Sequence, residues 1–315
     1  MTAHPDRYRV FRRIQPSGSD RRLLAVVLAA LLLAGCSSVQ FFYNQLDWLV
    51  PFYLETYVEL DDHQRTYLEQ QVENLLKWHC ATHLTEYARL LRQANTDFQA
   101  DRMDETRLLE LTRELERYWF EVTAEAAPAI ANLLLTATDE QINELFKSFE
   151  ARSDELRESL TERSEKEARD DYTERMRDEL ERWFGPLTEP QREAVSIWGT
   201  RFVPLGEEAL KTRQRWQTRL HESLAQRKDI PAFRRGIEQL LLDVRELRTP
   251  SYQARLEHNR DVTIELVEMV GHTLNTAQRE HLASQVERYA RDFEALSCTG
   301  RSAPALSQPQ DTGVF

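Results

Sequence analysis

His79, Cys80 and His83 form the tightest group of metal-binding residue types in the chain. Histidines four apart lie on one helix face, and imidazole is a common zinc ligand. The group has no HExxH glutamate, and no third ligand is visible. Both histidines also fall on an apolar stripe, so packing accounts for them and no metal is assigned. His258, His272 and His281 are scattered and receive no role. Carboxylates recur in pairs along helix surfaces, which is the pattern of a solvated face. No G-x-S-x-G, P-loop or dinucleotide fingerprint occurs. The expectation is therefore no catalytic residue, no cofactor beyond covalent lipid, and no enzyme.

Cysteine is the residue type that does carry expected chemistry. Residues 1–22 hold six arginines against Asp6 and Asp20, and Leu23 to Ala34 is an unbroken apolar run. A basic region, a short apolar region and a small-residue cleavage site describe a secretory signal peptide. The run is too short for a membrane span, which needs about 20 residues. Leu33-Ala34-Gly35-Cys36 resembles the lipobox of bacterial lipoproteins. The resemblance implies cleavage between Gly35 and Cys36, a diacylglycerol on the Cys36 thiol and an acyl chain on the new amino terminus. Two or more chains hold a protein firmly to a bilayer. Ser37 stands where an inner-membrane retention signal would have Asp. By resemblance to Gram-negative sorting, the expected location is the periplasmic face of the outer membrane. Cys80 and Cys298 remain. In an oxidising compartment they either pair or stand as two unrelated thiols, and sequence does not show proximity.

The whole chain carries a net charge of −12, and removal of the basic leader leaves about −16. An acidic body is a poor partner for nucleic acid. It is also repelled by anionic lipid surfaces, so membrane contact is expected through the acyl chains. Only 9 glycines and 11 prolines in 315 residues leave room for long helices. The expected fold is all-α: an elongated bundle of long amphipathic helices with a charged helical arm.

The elements follow in order. Residues 1–35 are the leader, 36–60 the anchor and an aromatic first helix, 61–298 the helical body and 299–315 a disordered tail. Seven aromatics between Phe41 and Tyr57 make the first helix either a foot in the membrane interface or a segment packed on the body. One helix is expected over 62–98, carried by Leu68, Val72, Leu75, His79, His83, Tyr87 and Leu90. A second runs over 104–136 with a kink at Pro128. A third runs over 139–184; its middle, about 150–171, is dominated by charge and reads as an exposed arm, with Glu162–Lys166 and Glu165–Arg169 as supporting pairs. A fourth starts at Glu189 and runs past Leu220 with a kink at Pro204. Further helices follow over about 229–244, 251–272 and 276–296.

One helix start recurs four times. It reads Leu60-Asp61-x-x-Gln64, Ala137-Thr138-x-x-Gln141, Leu187-Thr188-x-x-Gln191 and Leu274-Asn275-x-x-Gln278. The second residue is a good N-cap, and the Gln three on can bond back to the cap's amide. Leu187-Thr188-x-x-Gln191 is similar to the LTxxQ motif of Spy-type periplasmic chaperones, which cradle unfolded clients. A wider resemblance rests on Tyr43 to Pro51, Tyr57 to Asp61, Trp78-His79, and Arg182 to Thr188 followed by Gln191. These resemble an uncharacterised family of Gram-negative lipoproteins, with Asp61 in place of an expected Thr. That family resemblance implies a lipoprotein and helices and supplies no activity; the anchor, the long amphipathic helices and the acidic arm lead to the expectation of an outer-membrane-anchored helical binding or scaffold module with an envelope protein as partner. The alternative they leave open is a Spy-like chaperone or envelope-stress sensor.

Overall fold

The computed structural model describes residues 38–161 and 164–298. The expected leader, the cleavage site at Gly35, the acylated Cys36 and the tail from 299 lie outside the described residues. Within them the fold is all-α, and no strand occurs among the described residues.

Two short helices lead: α1 (Ser38–Tyr43) and α2 (Leu46–Glu55). Then come α3 (Asp62–Thr82) and α4 (Leu84–Gln99), where one helix was expected. The interruption falls at His83. Its Nδ1 hydrogen-bonds Thr82 Oγ1 at 2.7 Å, and its buried ring reaches Glu121 at 3.0 Å. Helix α5 (Glu105–Thr136) is capped by Asp104 and runs through Pro128.

The long charged segment divides. Helix α6 (Asp139–Thr161) and α7 (Glu165–Phe184) replace the single helix read from the sequence. Ser164 and Glu167 form a capping box that starts α7, and this signal was missed. Glu165–Arg169 is made at 2.9 Å, whereas Glu162 lies outside the described residues. Most side chains of the arm face solvent, but one edge of it bears on a later helix, α9 (Gly206–Ala225), where Ser153 accepts from Gln217.

Gly185 ends α7 at φ 79°, a left-handed conformation that an L side chain resists. Helix α8 (Glu189–Arg201) follows. The kink expected at Pro204 is a full break over 202–205, because proline lacks the amide donor and forces extended backbone before it. Asn259 then takes the place of the helix's own bonds: Val203 N–H donates to its Oδ1 at 2.9 Å, and its Nδ2 donates to Val203 O at 2.7 Å. The chain ends with α10 (Ile230–Leu242), a 3-10 turn (Val244–Leu247), α11 (Pro250–His272) and α12 (Thr276–Leu296).

Two cores result. One collects Phe98, Met103, Leu180, Phe184, Val195, Trp198, Val270, Leu282 and Val286, from α4, α7, α8, α11, α12 and their loops. The other collects Ala131, Ile142, Leu220, Leu224, Phe233, Ile237 and Leu240, from α5, α6, α9 and α10. A smaller cluster of Val58, Leu60 and Leu145 adjoins the second. Cys80 and Cys298 are joined in a disulfide with Cα atoms 5.2 Å apart, which fastens α3 to the end of α12.

Candidate functional site

The four repeated helix starts all form capping boxes. The structure also brings them together in two pairs, which spacing did not reveal. Gln64 Nε2 donates to Gln141 Oε1 at 3.0 Å, and Gln141 Nε2 donates to Gln64 Oε1 at 2.7 Å. Gln191 and Gln278 make the same reciprocal bonds at 3.2 and 2.8 Å. Each amide's second donor reaches a carbonyl two residues ahead of the partner's cap: Gln64 to Thr136, Gln141 to Glu59, Gln191 to Thr273 and Gln278 to Pro186. Each Oε1 also accepts its own cap's amide, from Asp61, Thr138, Thr188 or Asn275. Both donors and both acceptor positions of every Gln are thereby used. The leading Leu60, Leu187 and Leu274 are buried around these pairs. The cap residues are therefore architectural, and what they position lies beside the first pair.

There a cavity of about 820 Å³ opens among α2, α3, α5, α6, α9 and α10. Its floor is Leu68, Val72, Leu133, Leu145, Trp216 and Ile237, with other aliphatic and aromatic side chains around them. Ligand sites of this size are ordinarily apolar with a few placed polar groups. Here the polar wall residues other than tyrosines are Gln71, Asn74 and Glu125, and the last two are exposed at the mouth. Val50, Tyr53 and Ile130 line the cavity while standing 40, 59 and 37% exposed, so they form its rim. On α5 the rim continues as a stripe on one face at helical spacing, with Leu115, Trp119 and Ile130 exposed and Ala126 half-buried.

Helix α2 has two sides. Pro51 is buried and Leu49 and Leu54 face the cavity, while Trp48 and Phe52 are more than half exposed. Phe41 and Phe42 of α1 are exposed likewise. One face of this segment is packed on the body and the other is bare. Helix α1 is held on the body by Gln40, which donates to buried Asp292 at 2.7 Å, and by Tyr43, whose hydroxyl hydrogen-bonds His79 Nδ1 at 3.0 Å.

His79 and His83 stack at 5.2 Å inside an aromatic cluster with Tyr87 and Tyr118. Both ring nitrogens of each are engaged: His79 with Tyr43 and Tyr87, His83 with Thr82 and Glu121. Burial, followed by neighbouring His83, pushes His79 down to about 4. Burial raises Tyr43 and Tyr87 to about 12. No group of three metal-ligating side chains occurs among the described residues.

The sequence reading missed the cavity. Its wall residues have the spacing of ordinary core stripes. The available signal was α5, whose apolar residues Leu115, Trp119, Phe120, Val122 and Ile130 exceed one buried stripe.

Paired cap glutamines, two cores and an open apolar cavity define an all-α protein built around helix starts. The chain belongs to a family of unknown function, DUF6279, whose model matches residues 56–253. That span includes the motif residues from Tyr57 to Asp61, Trp78-His79 and Arg182 to Gln191. Neither a curated protein nor a solved structure matches the chain.

Proposed function

We propose that this protein is a non-enzymatic helical binding module, anchored through acyl chains on Cys36 to the periplasmic face of the outer membrane. The apolar cavity is its binding seat. The cavity is the observation that carries this reading: a large hydrocarbon-walled space beside bare aromatic side chains invites an apolar partner. The Cys80–Cys298 disulfide supports an oxidising compartment. The start of α1 at Ser38, two residues past Cys36, supports an anchor at the aromatic end.

The test uses the purified full chain and the apolar dye ANS. Wild-type protein is expected to bind the dye with defined stoichiometry, and Ala129→Trp, which fills the cavity, to lose it with an unchanged melting curve. Equal dye binding by both removes the cavity as the seat. Palmitate labelling that persists in a Cys36→Ala variant would sink the anchor.

One observation favours a chaperone as the second reading. Two cavity walls, α3 and α6, start at cap copies, as a Spy-like cradle would require. Photo-crosslinking from Tyr53 and Ile130 in cells separates the two. A few recurrent adducts favour a dedicated module, and a broad spread of unfolded clients favours the chaperone.

A further inference from the structure

We infer that the cavity holds an acyl chain of a phospholipid drawn directly from the bilayer beneath the foot. This rests on the anchored-module reading above and names its ligand. Three observations carry it.

The first is the shape of α2. One wall of the cavity and one face of the foot are the same ten-residue helix. Trp48 and Phe52 point away from the body, Leu49 and Leu54 line the cavity, and Val50 and Tyr53 stand at the rim between them. Trp and Tyr are at home at the headgroup level of a membrane. Only Ser37 separates Ser38 from Cys36, so acyl chains there would hold α1 and α2 against the bilayer surface. A chain leaving the bilayer past Val50 and Tyr53 would meet apolar surface throughout.

The second is the chemistry of the wall. A peptide occupant brings backbone N–H and C=O groups that need partners when buried. The interior offers almost none. Asn74 and Glu125 stand at the mouth, so the polar end of an amphiphile stays outside while its hydrocarbon enters. Residues 38–55 and the cavity lining contain no lysine or arginine, and Glu125 adds a negative charge at the mouth. Arg152 lies over the ring of the lining residue Tyr57, so the cavity is bordered by a carboxylate and a guanidinium alike, and a zwitterionic lipid such as phosphatidylethanolamine is the matching class.

The third is size. An apolar cavity of roughly 150 Å³ accepts a benzene molecule, which scales the 820 Å³ here to on the order of thirty carbon atoms. One long acyl chain fits within that space.

The experiment reconstitutes the acylated full chain into phosphatidylethanolamine-rich vesicles that contain a trace of phosphatidylethanolamine with a diazirine on its acyl chain. Photolysis and peptide mapping locate the adducts. Expected are adducts on α1 and α2, plus a second set deep in the cavity, at Leu133 of α5 and at Trp216 and Leu220 of α9. Ala129→Trp should lose the deep set and keep the first. Leu133→Phe, a milder filling, should reduce the deep set if the first variant fails to fold. Adducts confined to α1 and α2, with ANS binding intact, overturn the lipid assignment and leave the binding module standing. Loss of both dye and lipid sinks both readings. A deep set that appears only after biosynthetic labelling of Cys36 with diazirine fatty acid would mean that the chain's own anchor fills the cavity. That outcome overturns a bilayer source.

Discussion

At the scale of single residues, the four glutamines explain why the repeated starts end in Gln and not Glu. A glutamate would satisfy the cap's amide equally well. It has no donors, so it would reach neither the partner's oxygen nor the carbonyl beyond it. Gln191 is fully buried, and its truncation leaves Gln278 and the Thr273 carbonyl short of partners. Gln191→Ala should cost about 1–3 kcal/mol in denaturant unfolding. Adding Gln278→Ala should cost much less than a second full penalty, because the two residues share one network. His79 supplies a pH test. Its folded value near 4 lies below the ordinary 6.5, so the unfolded chain binds the proton first as pH falls. Stability should decline between about pH 6.5 and 4 by this route. Asp101 raises His272, which acts in the opposite sense: its contribution is present at low pH and is lost as pH rises through its folded value. The difference between melting curves of wild type and His79→Gln isolates the first effect, and a flat difference across that range would refute it. The cap chemistry was legible residue by residue. The pairing of caps 77 and 87 residues apart was not, since a local pattern does not say what lies opposite it.

At the scale of elements, helix starts were read better than helix interruptions. Asp61, Thr138, Thr188 and Asn275 all sit where a start was read from side-chain chemistry, and Asp104 and Asp229 cap the helices expected from about 104 and 229. The full breaks escaped the sequence for different reasons: apolar spacing continues across His83, charged helix formers surround Ser164, and Pro204 alone suggests only a kink. The break after α8 depends on Asn259, which is 56 residues away from Val203. Asn259→Ala would leave the Val203 N–H and C=O without these bonds, at about 1–3 kcal/mol. Faster hydrogen exchange at Val203, with α8 and α9 otherwise protected, would mark the loss as local. Uniform exchange across both helices would show that the break needs no such support.

At the scale of the molecule, the disulfide is the longest covalent closure, joining positions 218 residues apart. The sequence left that pairing open because proximity depends on how α12 lies along α4. Closing a long loop restrains the unfolded chain, and a disulfide of this kind typically adds about 2–4 kcal/mol. Reduction, or Cys298→Ser, should lower the melting temperature of the full chain. An unchanged melt under reducing conditions would show that helix packing alone holds the ends together. The cavity was the least legible feature, because its walls come from six helices spread between Leu49 and Leu241.

The two cores have a further consequence, which concerns order in time. The first draws on segments far apart in the chain, and the second is complete by Leu240. The first joins Phe98 and Met103 to Leu282 and Val286, and the second joins Ala131 and Ile142 to Phe233 and Ile237. A polypeptide appearing amino end first therefore has nothing complete to collapse onto for most of its emergence. The apolar face of α4 waits until α11 and α12 arrive. The second core can therefore close first, and the first locks only when α12 comes down.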